Sequence, residues 1–388
     1  GFAPGGTLVD SALDISAAFD TLQHDILCQR ADTDFGIRDT ALSWLRPFVT
    51  GRSNYVCIGD DHSPTTSCFN GVPQGSVLGP ILFALYTAPV AKIITHHNNL
   101  QYHMYADDTQ LYTALQPQNI DLTAIQQCTN DIHRWYAENG LLLNPTKSEA
   151  MAVGTQAQVT ATSASGPVII AGTPVPFSHE VKLLGVTIDS TLSFDKHVSN
   201  VVRSCNYHLH ALRHIRPLLS EDAAKTIGFS LVSSRLDYCN SLLYSTTDKN
   251  LKRLQIVQND LARTVLRKNR RTNATPLLKT LHLLPVKQRI NFKIAATVYK
   301  VKHSGIPSYL SELIVDHELP RTLRSSNKLL LHEPGGPASK LVLSAKAFAF
   351  NAPKVWNSLK FDCRSCDTFA NFKRKLKTDL CDIAYKDT

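Results

Sequence analysis

The chain has no long hydrophobic run. Its most apolar stretch, Val77 to Ala91, contains Gly79, Pro80 and Pro89 and stops at Lys92, so it is too short and too broken to span a bilayer. No charged segment followed by an apolar one opens this sequence. There is no compact cysteine framework either. Nine cysteines (Cys28, Cys57, Cys68, Cys128, Cys205, Cys239, Cys363, Cys366 and Cys381) are scattered over 388 residues, a usage that predicts a reduced, intracellular protein and excludes a disulfide-stapled small domain. Cys363-Arg364-Ser365-Cys366 is a lone pair with no histidine after His332, so a zinc knuckle would lack its other ligands. Internal repeats and coiled-coil heptads are absent.

What is present is ordinary globular material with a basic balance. Hydrophobic residues make up 43% of the chain, the formal net charge is +9 and the isoelectric point is near 9.0. That length allows two or three domains and a substantial core. The excess positive charge favours a polyanionic partner such as nucleic acid. Residue 1 is Gly, and Leu13-Asp14-Ile15 reads as a core strand reached almost at once. The expectation is a fragment that begins inside a larger domain.

Three stretches bear chemistry. In the first, Leu13 to Asp20, the carboxylate of Asp14 interrupts a short apolar run. An acid in a buried strand needs a partner or a metal, whereas an edge position would let it cap a turn. Thr21 or Asp20 then suits the cap of a helix over Thr21 to Leu27. The second, Gly71-Val72-Pro73-Gln74-Gly75-Ser76-Val77-Leu78-Gly79-Pro80, is dense in Gly and Pro ahead of a helix for which Pro80 suits the first position. Such backbone can approach a ligand closely, and Gln74 adds an amide that donates and accepts. The third is His103-Met104-Tyr105-Ala106-Asp107-Asp108-Thr109-Gln110-Leu111-Tyr112, a hairpin pattern with two acids at its tip. Because neighbouring strand side chains face opposite ways, Asp107 and Asp108 cannot play identical parts. The residues alone leave a solvated turn and a metal site both open.

The remaining pattern is architectural. Helices are expected over Thr40 to Val49, over the periodic Leu122, Ile125, Cys128, Ile132 and Trp135 up to Asn139-Gly140, and over Val286 to His303 and Phe369 to Ile383. Gly51 to Asn54 reads as a breaker before a strand at Tyr55 to Ile58. Leu141 to Met151 reads as strand, turn, strand, with Lys147 snorkelling at its turn. Thr155 to Ser178 reads as a variable excursion with one clear strand, Val168 to Ile170. Val181 to Asp189 is strand-like, with Gly185 marking a bulge or close approach. From His197 to Arg271 the pattern is helical, and about 100° of turn per residue sets Leu254, Val257, Leu261 and Val265 on one face. Lys252, Arg263 and Arg267 lie opposite, as a solvated face or a phosphate track continued by Lys268, Arg270 and Arg271. Ser, Gly and Pro near Glu333 to Ser339 divide the tail.

Taken in order, the acid followed five residues on by Phe19, the Pro73-Gln74-Gly75 loop and the Tyr105-Ala106-Asp107-Asp108 hairpin resemble the palm of a reverse transcriptase. Leu13 to Asp20 with His24-Asp25-Ile26-Leu27, Gly71 to Leu82, Leu143-Asn144-Pro145-Thr146-Lys147, and Leu184-Gly185-Val186 with Asp189 are similar to non-LTR (LINE-type) retrotransposon polymerases. Ala347-Phe348 through Ala352-Pro353, Val355 to Leu359 and Phe372-Lys373 resemble the carboxyl-terminal ends of such elements in animals, so the resemblance runs nearly end to end. It implies an α+β fold: a polymerase palm of antiparallel sheet with packed helices over residues 1–190, a helical thumb-like region over 191–275, and a mainly helical region of unassigned role over 276–388.

The resemblance also implies a chemistry. Asp14 and Asp107 would be the principal metal ligands, with Asp108 third and the Ile15 carbonyl assisting, and Mg²⁺ (two ions, with Mn²⁺ as the substitute) would serve the transfer of a deoxynucleotide to a primer 3′-hydroxyl. Phe19 matches the steric gate that rejects a 2′-hydroxyl. Gln74 and Gly75 would line the incoming nucleotide and template, and Lys147 would give a proton to pyrophosphate. Leu184 and Gly185 resemble the hairpin that holds the primer end, while Lys252, Arg263 and Arg267 would grip the hybrid through phosphates. The implied partners are an RNA template, a DNA primer or RNA–DNA hybrid, and deoxynucleoside triphosphates, in the nucleus, the cytoplasm or both, and with no membrane. Members of this family carry fingers and an endonuclease ahead of the first acid, and only 13 residues precede Asp14, so a truncated copy is expected. Two other readings stand beside it, a catalytically inactive nucleic-acid-binding remnant and a metal-dependent phosphodiesterase using the same acids; the latter leaves Phe19 and the Pro-Gln-Gly loop without a job.

Overall fold

A computed structural model describes residues 6–116, 119–317, 329–336 and 343–385. The fold is mixed, helices with small antiparallel sheets, and the chain divides into two compact units, Gly1–Val181 and Lys182–Thr388.

The first unit is built on a four-stranded antiparallel sheet. Its strands are Glu149–Val153, Thr7–Leu13, Asp108–Leu115 and Gln101–Tyr105, in that spatial order. The strand nearest the start of the chain is therefore interior, flanked by the second arm of the acidic hairpin and by Glu149–Val153. Alternation decides which face is dry: Val9, Leu13, Leu111 and Leu115 are buried in the unit's main apolar cluster, which sends the residues between them to the other face. Helices cover the dry face. Thr123–Glu138 buries Ile125, Cys128, Ile132 and Tyr136 at helical spacing, and Gly140 beyond it takes a φ of +68°, the left-handed stop a helix end favours. Gly79–Thr87 adds Leu82, Phe83 and Tyr86 to the same core, with Pro80 in its first turn.

Several local expectations change. The first helix is His24–Thr33, preceded by Gln23, with no side-chain cap. Thr21 bonds back to the Ala17 carbonyl and Asp20 is engaged elsewhere, so neither caps it. Gly51 alone breaks the chain, for Arg52–Asn54 already pairs with Thr66–Cys68, and of Tyr55 to Ile58 only Cys57–Ile58 is in a ladder, with Asp61–His62. The stretch read as a loose excursion holds a helix, Gln156–Ala164, and a hairpin of Val168–Ile170 with Thr173–Val175. Its helix opens on a capping box between Thr155 and Gln158, a sequence signature legible in advance. Gly185 marks a hairpin turn and no bulge: Glu180–Leu183 pairs with Val186–Asp189.

The second unit is helical, and one apolar cluster runs through it from Val186 to Leu380. The helix Asp248–Val265 buries Leu254, Val257, Leu261 and Val265 as the periodicity requires. It packs on Asp195–Ile215, and Val286–Ser304 and Phe369–Tyr385 complete the core around Trp356 and Phe372. All nine cysteines are free, with Cys363 and Cys366 inside this core. Among the described residues no helix is long and apolar enough to cross a membrane. The separator at 333–339 falls partly outside the described residues.

Candidate active site

The hairpin tip is a two-residue turn. Tyr105 pairs with Asp108, leaving Ala106 and Asp107 as the loop, and Ala106 sits at a φ of +52°. A non-glycine residue held there is strained, a feature that concentrates at functional sites. Asp107 is half-buried in the turn, while Asp108 opens the next strand and is exposed. In the register Leu13 opposes Thr109, so one step further along each strand brings Asp14 beside Asp108 on the face away from the core. Burial first, then the negative charges of Asp107 and Asp14, raise the Asp108 carboxyl above the ordinary carboxylate range. Acids on two segments far apart in sequence thus share one field.

Asp14 is fixed through its backbone. Its N–H donates to Ser148 Oγ at 3.2 Å, its carbonyl accepts from the Asn144 N–H at 2.8 Å, and Ser148 Oγ in turn donates to the Asn144 carbonyl. Ile15, buried, pairs with Leu143. The Asn144–Ser148 turn is therefore tied to Asp14, and Lys147 projects exposed from that turn.

The Pro-Gln-Gly loop is stitched to the segment after Asp14. Gly71 N–H donates to the Leu22 carbonyl at 2.8 Å and Val72 N–H to the Phe19 carbonyl at 2.9 Å. A Cβ on Gly71 would lie 2.9 Å from Asp20 and Phe19 backbone atoms, at a φ of +81°, so only glycine lets the two backbones meet. His24 Nε2 and Arg52 Nη2 each lie 2.8 Å from the Gly71 carbonyl. Gln74 is exposed, and its amide donates to Asp20 Oδ1 at 2.8 Å; Gly75 beside it is open to solvent at a φ of +80°. Phe19 is half-buried, its ring 4.8 Å from that of Phe83, so the side chain offered as a gate also packs on the core.

Residues 5–188 match the family profile described as reverse transcriptase (RNA-dependent DNA polymerase). Through this stretch, a little under half of its length, the chain is similar to the reverse transcriptase family. Over 288 residues it is 25% identical to a protein of Drosophila melanogaster described as a probable RNA-directed DNA polymerase from transposon BS; the match covers 72% of this chain and 31% of that protein. The RNA-directed DNA polymerase from mobile element jockey of Drosophila funebris is 26% identical over 263 residues, 65% of this chain and 28% of the relative. These are non-LTR transposons, so the LINE-type resemblance is sustained. The chain spans under a third of the length of either relative. A telomerase structure from Candida tropicalis in complex with a telomeric RNA fragment aligns over 74% of this chain and 47% of its own, at 11% identity and a TM-score of 0.37.

Reverse transcriptases are generally dependent on divalent metal ions. The donor set of this region, carboxylates without histidine or thiolate, suits hard cations of that kind, and the burial and mutual repulsion that raise Asp108 are what a bound cation would offset. Among the described residues, however, no group of three or more His, Cys, Asp or Glu is placed so that it could hold a metal ion.

The other expected residues lie in the second unit. Leu184 and Gly185 form the tip of the Glu180–Asp189 hairpin, with φ values of +45° and +82°. The Tyr238 hydroxyl donates to the Leu184 carbonyl at 2.5 Å, and its ring lies 3.6 Å from where a Gly185 Cβ would stand. Asp189, at the foot of the hairpin, accepts from the N–H groups of Thr191, Ser193 and Phe194; although burial opposes it, those bonds hold its carboxyl below the usual range. The basic residues do not form the single stripe the periodicity suggests. Lys252 is exposed, but Arg263 is largely covered and paired with Asp260 at 3.0 Å. The helix stops at Val265, and Arg267 beyond it donates to the Arg216 and Pro217 carbonyls.

Sequence reasoning missed three participants. Asp20 holds Gln74, Tyr238 braces the hairpin tip, and Asp10 is buried with its carboxyl pushed up to about 7 by burial. Asp10 shares the parity of Asp14 on one strand, so its position on the same face was readable; its burial beside Tyr112 and Met151, its register partners, was not.

Proposed function

We propose that the chain is the polymerising portion of a non-LTR (LINE-type) retrotransposon reverse transcriptase, adding deoxynucleotides to a primer 3′-hydroxyl on an RNA template. The observation that carries this reading is the placing of Asp14 beside the Asp107-Asp108 tip by the strand register. In this reading residues 1–190 are the palm, 191–275 a thumb-like region, and 276–388 an element-specific region. Its partners are the RNA template, a DNA primer or RNA–DNA hybrid and deoxynucleoside triphosphates, and its setting is intracellular, nuclear or cytoplasmic.

Asp14 and Asp107, assisted by Asp108 and the Ile15 carbonyl, would hold two divalent ions, Mg²⁺ or in its place Mn²⁺. When bound, such ions stabilise charge on the transferring phosphoryl group and favour deprotonation of the attacking hydroxyl. The chain's own side chains have separate tasks. Phe19, kept in place by Phe83, would exclude a 2′-hydroxyl from the sugar position. Gln74, oriented by Asp20, and Gly75 would line the nucleotide and template. Lys147, carried on the turn tied to Asp14, would protonate the departing pyrophosphate. Leu184 and Gly185 would hold the primer end, and Lys252 supplies an exposed cation on a helix of the same unit.

The alternative is a catalytically inactive nucleic-acid-binding remnant, favoured by the lack, among the described residues, of any three-donor group placed to hold a metal ion. Extension of a DNA primer annealed to an RNA template, with Mg²⁺, separates the two. The polymerase reading predicts added deoxynucleotides, a loss of about a thousandfold or more in Asp107→Asn, and ribonucleotide entry in Phe19→Ala. Binding without any extension would leave the remnant reading standing.

A further inference from the structure

The helical unit holds a cavity of about 570 Å³ that shares no residue with the acidic tip or with the hairpin Glu180–Asp189. Three helical segments and one turn build it. Phe229 comes from a π-helical turn, Phe229–Ser233, set between the α-helices Glu221–Gly228 and Ser234–Asp237, a geometry that recurs at functional sites. Phe292 and Lys293 come from Val286–Ser304, and Lys377 from Phe369–Tyr385. The turn over residues 281–284 closes one wall. It is fixed by Gln258 Nε2 on the Leu284 carbonyl at 2.9 Å and by the Tyr385 hydroxyl on the Leu283 carbonyl at 2.6 Å. The cavity therefore forms only where residues 191–275 and 276–388 pack together.

Its charge is one-sided. The single acid in the lining, Asp237, is taken by Arg289, whose Nε donates to Oδ1 at 2.7 Å while Nη2 meets Oδ2. That pair cancels. Lys225, Lys293 and Lys377 remain, and no ion pair joins any of them to an acid among the described residues. Lys225 instead lies over the Phe229 ring, 5.8 Å from its centroid. Asp237 also accepts from Asn240 Nδ2 at 3.3 Å, which settles which way that amide points. Asn240, 3% exposed and on the cavity wall, is left with an Oδ1 that accepts no hydrogen bond among the described residues. An unmet acceptor of this kind calls for an N–H or O–H donor.

These features limit the ligand. Two half-buried phenyl rings, Phe229 and Phe292, suit a flat body. Three ammonium groups suit an anion of more than one charge. The orphan acceptor disfavours an aliphatic body without donors. The volume is that of a small-molecule site, which runs from about 300 to 1,000 Å³. We propose that this cavity is a nucleotide site of its own, in which a free nucleoside phosphate lays its base against Phe229 and Phe292 and its phosphates against Lys225, Lys293 and Lys377. It does not rest on the polymerase reading, since occupancy is measured without metal, primer or synthesis.

The test is equilibrium dialysis of radiolabelled ATP against the full chain in EDTA, with unlabelled ATP, tripolyphosphate and an oligoadenylate of about ten nucleotides as competitors. Saturable ATP binding is expected, weakened about tenfold or more in Lys293→Ala/Lys377→Ala. Phe292→Leu, which keeps apolar volume and loses the flat face, should weaken it about fivefold or more. Tripolyphosphate has the charge without the base and should compete about fivefold or more less well than ATP. Lys249→Ala/Lys354→Ala, an equal charge change at exposed positions outside the cavity, should stay within about twofold of wild type. No saturable ATP binding, equal losses in the two lysine pairs, or tripolyphosphate competing as well as ATP would each overturn the proposal. Stronger competition by the oligoadenylate than by ATP would overturn it too, by identifying a strand as the ligand. The side chains of Lys293 and Lys377 are exposed and support no other group among the described residues, so a loss in that pair does not come from a collapsed fold, and circular dichroism of each variant verifies this.

Discussion

At the residue scale, the most informative side chain outside the acidic tip is Asp10. The residue is 8% exposed and its carboxyl is raised to about 7 by burial, against about 3.9 in an unfolded chain. The folded state therefore holds a proton that the unfolded state releases, and stability falls as pH rises between those two values. Asp10→Asn should stabilise the protein in urea unfolding by up to about 4 kcal/mol above pH 7. The gain should shrink progressively towards pH 4. A gain independent of pH would show that the carboxyl is not desolvated as described. Sequence alone could set Asp10 on the face of Asp14, since parity is a local property. The covering of Asp10 depends on Met151 and Tyr112, which arrive from distant strands, and no window of sequence contains all three.

At the scale of elements, the same distinction separates what was legible from what was not. The helix Thr123–Glu138 and the buried face of Asp248–Val265 follow from spacing alone. The acidic hairpin also follows, because large residues flank two acids with turn chemistry between. By contrast, Arg263 and Arg267 were read from the same periodicity as one open stripe, a solvated face or a phosphate track, yet Asp260 and the 216–217 carbonyls claim them. Rotation angles report direction and carry no information about partners. The Gly71 loop is a mixed case, with its glycines visible and the reason for them hidden in the Phe19–Leu22 backbone. Gly71→Ala must place a methyl 2.9 Å from that backbone at a φ of +81°. It should cost about 2–4 kcal/mol in unfolding free energy and loosen the Gln74–Asp20 contact. An unchanged urea midpoint would mean the loop and turn are not in contact.

At the scale of the whole molecule, the chain joins a sheet-based unit with acids on its open face to a helical unit whose cavity of aromatic and cationic side chains has one acid. The net charge of +9 gives the expectation of a polyanionic partner; the location of four of those cations around one cavity is a tertiary fact. Fold and family were open to sequence because the motifs are short and contiguous. The convergence of Asp14 with Asp107 and Asp108 was open only through resemblance, since 93 residues separate the first two. That convergence is the central claim, and Mn²⁺ binding followed by electron paramagnetic resonance tests it without requiring synthesis. The account predicts protein-bound Mn²⁺ in the wild-type chain and its loss in both Asp14→Asn and Asp107→Asn, because each removes a ligand of one shared site. Mn²⁺ held equally well by either variant, or by neither variant nor the wild type, would contradict it.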